Sequence, residues 1–204
     1  MNSTFLQSDV ATHPSVRNIL RNLNRNGYSI DEIEDNYFKS GTVADVFKIK
    51  NKILKFLSED IDGAEFHAEN YQKLVGKKLK YVGNVYYFDV ISSSINDDLY
   101  VIVQDYIPHE SEYEEVFEDT SLNSDVFYHL MKKFIAGYDK PNINEFIKSG
   151  TIKKGSKNKR LASKMINQVW RGFKELEKYN VNFQDVHEEN VRKNDAGNYI
   201  IIDF

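Results

Sequence analysis

The sequence contains no cysteine. Disulfide bonds and thiolate metal sites are therefore excluded, and the chain is compatible with a reducing compartment. We expect a cytoplasmic protein, located in the host cytoplasm if a virus encodes it.

Long apolar runs and an excess of positive charge are missing as well. No stretch approaches the roughly 18 consecutive apolar residues of a membrane-spanning helix, so we predict no membrane association. Residues 1–15 lack the basic region and apolar run of a signal peptide, and we expect none. The net charge of −4 argues against a general nucleic-acid-binding protein.

The first half of the chain has the pattern of a β-rich lobe. A chain of 204 residues suggests one domain or two small lobes. The alternating runs "ADVFKIK" and "ILKFL" flank Asn51 and Lys52, which predicts a hairpin at that pair. Residues 62–76 predict a helix with Ala64, Ala68 and Tyr71 on one stripe. Residues 80–92 and 98–107 predict two more strands.

The second half has a different character, with the boundary near Pro108. Residues 110–119 carry six acidic side chains, which form either a solvated face or a cleft for a cationic substrate. Helical patterns follow at 124–137, 142–148 and 161–180, and residues 153–160 form a basic, turn-rich loop. The apolar stripe of the long third helix consists of Leu161, Met165, Val169, Phe173 and Leu176.

The final stretch "NFQDVHEENVRKNDAGNYIIIDF" brings oxygen ligands together. Asp185 and Asn190 lie on a predicted loop, and a strong turn signal at Asn194 to Gly197 predicts a hairpin after it. The hairpin returns Asp203 beside that loop. Carboxylate and amide oxygens of this kind suit Mg²⁺, which retains waters and takes few protein ligands.

Upstream, a turn and a lysine supply complementary chemistry. Ser40 and Gly41 form a turn between strands, where backbone N–H groups can cover phosphates. Lys55 lies inside the apolar run "ILKFL", and burying a lysine is costly unless it is paired. Glu69, or Glu65 one turn earlier, can supply the partner. A pair about 4 Å apart gains about 4 kcal/mol before desolvation at an effective dielectric near 20, so bound polyphosphate better explains this lysine.

Taken in their order along the chain, these motifs resemble those of the protein-kinase-like superfamily. This superfamily includes protein kinases and small-molecule kinases such as aminoglycoside and choline phosphotransferases. The resemblance covers roughly residues 33–204. "DVHEEN" is similar to the Asp-x-His-x-x-Asn form of the small-molecule enzymes, and Asp203-Phe204 matches the start of the Asp-Phe-Gly metal element.

The resemblance implies a role for each matched residue. Asp185 is the catalytic aspartate, Lys55 and Glu69 are the strand-three lysine and its helix partner, and Asn190 and Asp203 bind the metal. Gln104 occupies the gatekeeper place, before a hinge that meets adenine. The residues implied in binding ATP are Ser40, Gly41, Thr42, Val46, Lys55, Gln104, Asp105 and Ile107.

The sequence also departs from the family pattern. Ala44 replaces the third loop glycine, and Phe183 stands where many relatives have His. The chain ends at Phe204, where the family continues with an activation segment or substrate-binding helices. We therefore expect either a minimal kinase, whose residues 110–160 supply the missing lobe, or a chain whose remainder is lost or replaced by a protein partner.

The predicted fold class is α+β, a bilobal protein-kinase-like fold. It has an N-lobe with an antiparallel sheet and one helix, and a mostly helical C-lobe with a β-hairpin. The predicted domains are an N-terminal helical extension (1–30), the N-lobe (31–107) and the C-lobe (108–204).

The predicted function is the transfer of the γ-phosphate of Mg-ATP to a hydroxyl group. The acceptor is unidentified, either a protein or a small molecule, and the acidic segment suits a cationic one. The alternative is a catalytically weak pseudokinase that binds nucleotide or another protein.

Overall fold

The computed structural model describes the elements that carry most of the predicted motifs. The described residues are 21–27, 37–40, 44–58, 63–91, 98–108, 156–181 and 190–204, with the single positions 132, 136, 144 and 183. Apart from those single positions, the predictions for residues 110–119, 124–137 and 142–148 lie outside them. Within the described residues, no helix has the length and apolar character needed to cross a membrane.

An antiparallel sheet of five strands, in the order β1-β2-β3-β5-β4, forms the first part of the fold. Helix α1 lies between β3 and β4 in sequence and packs against both strands. The bounds are β1 Tyr37–Ser40, β2 Asp45–Ile49, β3 Lys52–Ser58, α1 Ala64–Leu74, β4 Val85–Ile91 and β5 Leu99–Asp105.

The two faces of this sheet have different roles, because successive side chains of a strand point to opposite faces. One face builds an apolar core in which Leu23, from the helical segment that precedes the sheet, is completely buried. Phe47 and Phe56 pack edge to face in this core, with ring centroids 5.7 Å apart. The other face carries Lys55, whose contact with Tyr71 shows that α1 covers this side. The core consists of Leu23, Phe47, Ile49, Leu54, Phe56, Ile91, Val101 and Val103.

The predicted stripe of α1 is confirmed, since Ala64, Ala68 and Tyr71 are all buried. Leu74 extends the stripe by one turn, and Gly76 follows the helix with a left-handed φ of 70°. A glycine adopts this conformation without steric cost, which explains why the helix stops there.

The turn between β2 and β3 lies one residue earlier than the sequence predicts. Ile49 pairs with Lys52, so Lys50 and Asn51 form the turn and Lys52 belongs to β3. Lys50 adopts a φ of 54°. The alternation of apolar residues did not show whether Lys50 or Lys52 would lie in the turn with Asn51.

The second part of the fold contains a long helix and a hairpin. Helix α2 spans Ser156–Lys178, β6 spans Val191–Lys193 and β7 spans Tyr199–Ile201. The prediction of a basic loop to residue 160 is wrong for its last five residues, which are helical. Lysine and arginine are good helix formers, and Gly155 is the last residue that favours a break. Met165, Val169, Phe173 and Leu176 of the predicted stripe are buried.

The predicted turn of the hairpin is confirmed. Asn194 accepts a backbone hydrogen bond from Gly197 at 2.7 Å and donates one to Asn198 at 2.9 Å. Its side-chain Oδ1 also accepts from the backbone N–H of Asn198, and Gly197 takes a φ of 69°. Val191 pairs with Ile201, so the hairpin brings the residues at its two ends together.

The chain divides into two compact units. The first comprises Met1–Lys77 and Asn84–Tyr106, and the second comprises Lys78–Gly83 and Ile107–Phe204. The segment Lys78–Gly83 therefore belongs with α2 and the hairpin, although it lies between α1 and β4 in sequence. The domain limits 1–30, 31–107 and 108–204 stay predictions.

Replacing Gly172 by alanine should destabilise the second unit. A Cβ atom there would lie 2.8 Å from both Ile201 Cδ1 and the carbonyl oxygen of Tyr81. Overpacking of this kind costs typically about 1–3 kcal/mol, whereas alanine gains only about 1 kcal/mol of helix propensity. We expect a net loss of up to about 2 kcal/mol in the free energy of unfolding, measured by urea denaturation.

The matched control is Gly83→Ala. Its Cβ would meet Ile202 Cγ2 at 3.6 Å, an ordinary van der Waals distance. We expect this variant to stay within about 0.5 kcal/mol of the wild type. Equal stability of the two variants would contradict the close packing of α2 on β7.

Candidate functional site

Lys55 lies in the middle of the sheet and is almost completely buried. It pairs with Val46 of β2 and Ile102 of β5, and its relative exposure is 6%. Its Nζ donates a hydrogen bond to Tyr71 Oη at 2.9 Å and lies 5.3 Å from the centre of that ring. A tyrosine of α1 thus holds the ammonium group on the helix-covered face of the sheet.

The two candidate glutamates of α1 are exposed. Glu69 Oε2 lies 3.9 Å from Lys73 Nζ, one turn further along the helix, and its side chain is 60% exposed. Glu65, in the first turn, is also exposed. The pairing of Lys55 with either glutamate stays a prediction.

Sequence reasoning missed Tyr71 as a contact of Lys55. The signal was present, because Tyr71 shares the inward stripe with Ala64 and Ala68. A tyrosine on a buried stripe needs a partner for its hydroxyl group, and a lysine inside the facing strand is a suitable donor.

Gln104 of β5 has a relative exposure of 1%. Neither Nε2 nor Oε1 of its side chain makes a hydrogen bond with any part of the chain that the structure describes. It pairs with Ile53 of β3 and Val85 of β4, which places it on the sheet face that carries Lys55.

The residue after Gln104 ends β5 within a network of hydrogen bonds. Asp105 Oδ1 accepts from Lys52 Nζ and from the Tyr86 hydroxyl group, both at 2.7 Å. Its Oδ2 accepts from Asn84 Nδ2 at 2.8 Å and from the Asn84 backbone N–H at 3.1 Å. Lys52 Nζ also lies 3.6 Å from the centre of the Tyr86 ring.

This network also shifts the pKa values of Asp105 and Lys52. Partial burial alone would raise the pKa of Asp105, but the hydrogen bonds from Lys52, Tyr86 and Asn84 outweigh it and hold the pKa below its usual value. Burial alone would lower the pKa of Lys52, but its contacts with Asp105 and Tyr86 raise it. Both groups therefore stay charged near neutral pH.

Backbone hydrogen bonds tie the same segment to its neighbours. The Asp105 N–H donates to the carbonyl oxygen of Asn84 at 3.0 Å, and the Tyr106 N–H donates to that of Asn51 at 3.1 Å. The predicted hinge, which includes Asp105 and Ile107, therefore begins at a strand end that backbone hydrogen bonds hold in place. Ile107, which follows, is half-buried.

Asn190 and Asp203 lie at the two ends of the β6–β7 hairpin. The carbonyl oxygen of Asn190 accepts a hydrogen bond from the Ile202 N–H at 2.8 Å, which makes Asp203 the next residue after that link. Asn190 is buried, with 3% relative exposure, and Asp203 is half-buried. Asp203 has a φ of 56°. Such a conformation is uncommon outside glycine and is often found at functional sites.

A polar stripe on α2 positions this hairpin. Lys164 Nζ donates to the carbonyl oxygen of Gly197 at 2.6 Å, and Gln168 bonds both to the Tyr199 N–H at 2.9 Å and to Asn198 Oδ1 at 2.8 Å. The spacing of four residues places both side chains on one face of the helix.

The same stripe continues toward the segment Lys78–Gly83. Gly172 provides the close approach to β7, and the Glu175 carboxylate accepts from the backbone N–H groups of Lys80 and Tyr81 at 3.0 and 2.9 Å. That segment lies alongside β7, where the Ile201 N–H donates to the Tyr81 carbonyl oxygen at 2.9 Å. Sequence reasoning identified only the apolar stripe of α2 and missed this polar one.

Phe183, the departure from the family's histidine, is a packing residue. It is 3% exposed, and its ring centroid lies 5.4 Å from that of Phe173 on α2. Aromatic packing thus anchors the chain after α2, just before the predicted catalytic loop.

The remaining predicted residues divide into described and undescribed ones. Val46 is buried beside Lys55 in the neighbouring strand, and Ser40 ends β1. Gly41, Thr42 and Asp185 lie outside the described residues, so their roles stay predictions. The structure brings Val46, Lys55 and Gln104 onto one sheet face, and it brings Asn190 next to Asp203 through the Ile202 link.

The chemistry of the hairpin residues fits a magnesium ion. Asn190 and Asp203 offer an amide oxygen and a carboxylate oxygen, and Mg²⁺ binds to one or two such groups together with waters and phosphates. In the described part of the chain, no group of three or more histidine, aspartate or glutamate side chains is arranged to hold a metal. A site of this kind would therefore need oxygens from a phosphate ligand as well.

Comparisons with known proteins give structural neighbours only. No protein-family model matches the sequence, and no curated protein matches it. One similar solved structure is that of Rad53 in complex with AMP-PNP, at 13% identity and a TM-score of 0.31, covering 58% of this chain and 30% of the other. Another is the MAP kinase LmaMPK10 from Leishmania major, at 11% identity and a TM-score of 0.41, covering 92% and 49%. The chain thus spans less than half the length of either solved chain.

The predicted fold class is confirmed by the architecture itself. In the described residues, an antiparallel sheet with a single helix between its third and fourth strands precedes a long helix and a β-hairpin, an α+β architecture in the element order predicted for a protein-kinase-like fold. The low similarity to the two solved structures leaves the function to be argued from residues.

Proposed function

We propose that this protein is an ATP-dependent phosphotransferase that moves the γ-phosphate of Mg-ATP to a hydroxyl group. The observation that carries the proposal is Lys55, a lysine with 6% exposure at the centre of a sheet, held by a tyrosine from the adjacent helix. Burial of a charged group is costly, and a bound phosphate offers such an ammonium group a strong, charge-assisted hydrogen bond.

In this proposal, Lys55 binds the α- and β-phosphates and orients the triphosphate. The hydrogen bond to the Tyr71 hydroxyl group fixes the position of this ammonium group. Ser40, Gly41, Thr42 and Val46 cover the phosphates and the adenosine, and the backbone of Asp105 and Ile107 meets adenine. The bonds that anchor Asp105 and Tyr106 support this role, because a fixed hinge presents its backbone groups in one geometry.

Asn190 and Asp203 would hold the magnesium ion. Their oxygen atoms suit this ion, and the backbone bond from Ile202 to Asn190 keeps the two residues adjacent. When bound, the ion neutralises charge on the phosphates as the γ-phosphoryl group transfers. The left-handed conformation of Asp203 supports a functional role, because strain of this kind persists where function requires it.

Asp185 would accept a hydrogen bond from the attacking hydroxyl group and orient it. An aspartate with an ordinary pKa of about 3.9 is a weak base at neutral pH, so its main contribution is position until late in the transfer. Most of the rate enhancement then comes from alignment and electrostatic stabilisation.

The acceptor is either a small molecule or a protein. The motif "DVHEEN" favours the small-molecule side, and the acidic residues 110–119 suit a cationic acceptor. A protein partner that completes the second lobe belongs to the same proposal. Screening with labelled ATP against basic proteins, aminoglycosides and the protein itself would identify the acceptor class.

The metal assignment is tested by Asp203→Asn. We expect the gain in ATP affinity on adding magnesium, measured by calorimetry, to fall by roughly 10-fold or more, because an amide is a poorer ligand than a carboxylate. Asp195→Asn is the matched control, since Asp195 is exposed in the turn of the same hairpin. If Asp203→Asn and Asp195→Asn show the same magnesium dependence as the wild type, the metal site is elsewhere.

A further inference from the structure

The exposed side of α2 carries a line of positive charges. The helix has seven basic and two acidic residues, so its net charge is +5 in a chain whose net charge is −4. Of the α2 side chains that the structure describes, seven are exposed, and six of these are basic. Five of the six, which we call the basic ridge, are Arg160, Lys164, Arg171, Lys174 and Lys178.

The members of the basic ridge lie on one line because of their spacing. At 3.6 residues per turn, the five positions fall within an arc of about 80° and extend over about 27 Å of the helix. The buried residues Met165, Val169 and Leu176 occupy the opposite side of α2. The ridge is therefore the side of α2 that points away from the apolar core of the second unit.

The basic ridge weakens the helix that carries it. Cationic side chains three or four residues apart repel each other, and Lys174 has such neighbours in Arg171 and Lys178. The first turn of α2 contains no acidic residue. Lys159 and Arg160, which lie near this end, oppose the helix dipole, since the dipole favours negative charge there. Local rules are broken in this way where function requires it, and an anionic partner would supply the missing charge.

The two acidic residues of α2 are engaged within the protein. The Glu175 carboxylate accepts hydrogen bonds from the backbone N–H groups of Lys80 and Tyr81. Glu177 lies outside the arc of the ridge, and its Oε2 is 2.6 Å from Lys174 Nζ. Both partners of that ion pair are at least half exposed, so water competes with the contact and Lys174 remains available to a stronger anion.

The neighbouring segment Lys78–Gly83 adds positive charge beside the ridge. Arg171 Nη1 donates a hydrogen bond to the Tyr81 hydroxyl group at 3.1 Å, and Lys80 Nζ lies 5.4 Å from the centre of the same ring. Lys78 and Lys80 are both exposed. The hydrogen bond from Arg171, together with the charge of Lys80, holds the pKa of Tyr81 below its usual value. The local potential is therefore positive.

The shape and the charge of this surface favour a narrow polyanion. The apolar side of α2 is buried, so the helix cannot insert into a membrane interface as amphipathic helices do. The chain outside α2 carries a net charge of −9, which repels a broad polyanion such as a nucleic-acid duplex or an anionic membrane. A single acidic helix can follow the ridge over its full length and stay away from that negative charge.

We propose that the basic ridge is a docking surface for an acidic helical segment of a partner protein. A helix with carboxylates three and four residues apart repeats the spacing of the ridge, so each carboxylate meets a cation, as charged residues do between the helices of a coiled coil. The proposal does not depend on phosphate transfer, because no residue of the ridge has a role in the proposed mechanism.

The test measures the binding of two labelled peptides to the wild-type protein by fluorescence anisotropy. Both are alanine-based helical peptides with six glutamates. In one the glutamates are spaced four, three, four, three and four residues apart, and in the other they are distributed around the helix. We expect the ridge-spaced peptide to bind about 10-fold more tightly, and its affinity to fall with added salt, because exposed charges are screened.

Charge reversal tests the position of the site. The double variant Lys174→Glu with Lys178→Glu should bind the ridge-spaced peptide at least about 10-fold more weakly than the wild type. The matched control is Lys159→Glu with Lys193→Glu, which changes the net charge by the same amount. Both control residues are exposed and lie outside the ridge in the same unit. We expect the control to stay within about 3-fold of the wild type.

The other outcomes overturn the inference. Equal binding of the two peptides, or equal loss in the two double variants, would mean that the protein attracts anions without a defined site. Tighter binding of single-stranded DNA or of phosphatidylserine vesicles than of the ridge-spaced peptide would assign the ridge to nucleic acid or to a membrane. No binding of that peptide at about 1 mM would remove the docking surface. The peptide comparison needs only wild-type protein, so it decides the question even if a variant does not fold.

Discussion

Replacing Lys55 by methionine is expected to lower the affinity for Mg-ATP by roughly 100-fold, because the loss of a buried, charge-assisted contact costs several kcal/mol. The free energy of unfolding of the nucleotide-free protein should stay the same or rise, since methionine fills similar volume without the desolvation of a charge. Calorimetry of ATP binding and urea denaturation measure the two effects separately.

Lys73→Met is the matched control for this experiment. Lys73 lies on α1, where its ammonium group is 3.9 Å from the exposed Glu69, and an exposed pair of this kind contributes only about 0–1 kcal/mol. We expect its ATP affinity to match that of the wild type. Unchanged affinity in Lys55→Met would remove the phosphate-binding role from Lys55, whereas reduced stability with unchanged affinity would make it a structural residue.

Replacing Asp185 by alanine should have the largest effect on turnover. We expect the variant to retain Mg-ATP binding within about 3-fold, while the rate of γ-phosphate transfer falls by roughly 100- to 10,000-fold, the usual range for a residue that positions and deprotonates a nucleophile. Transfer of labelled phosphate from ATP, in the presence of an accepting substrate or of water alone, measures the rate.

Glu188→Ala is the control in the same motif, since Glu188 of "DVHEEN" has no assigned role in the proposed mechanism. It should leave the rate near that of the wild type. Equal rates in the wild type and Asp185→Ala would remove the enzymatic interpretation. ATP binding by a wild type that transfers no phosphate to any acceptor would favour the pseudokinase alternative, a module that binds nucleotide without chemistry.

The strands and the hairpin could be predicted because their signals are local. Alternation of apolar residues identified β2, β3 and β5, and the turn cluster from Asn194 to Gly197 fixed the final hairpin. The stripe of α1 was equally clear, since Ala64, Ala68 and Tyr71 recur at helical spacing. The predicted start of α2 was wrong by five residues and the predicted turn before β3 by one, because neighbouring residues fit either state.

The contacts of the site residues could not be predicted in the same way. Charge alone suggested a glutamate beside Lys55, which stays a prediction, and it gave no sign of the tyrosine hydroxyl group that lies 2.9 Å from the ammonium group. The polar stripe of α2 was invisible as well, since the partners of Gln168 and Glu175 lie at least 30 residues away in sequence. Such pairings depend on how the elements pack, and no local pattern carries that information.

The orphaned amide of Gln104 required the structure for the same reason. The sequence places Gln104 in a strand by its apolar neighbours, but burial and the absence of a partner within the described chain appear only after the sheet is assembled. This residue breaks the local rule that a buried strand interior is apolar. Exceptions of this kind are expected where a ligand binds.

The most direct test of the account is a titration of the wild-type protein with ATP, by calorimetry, in magnesium and again with EDTA. The roles given to Lys55, Asn190 and Asp203 predict saturable binding of one ATP per chain, with an affinity that magnesium raises by roughly 10-fold or more. Absence of binding in both buffers, or equal binding with and without magnesium, would contradict the account.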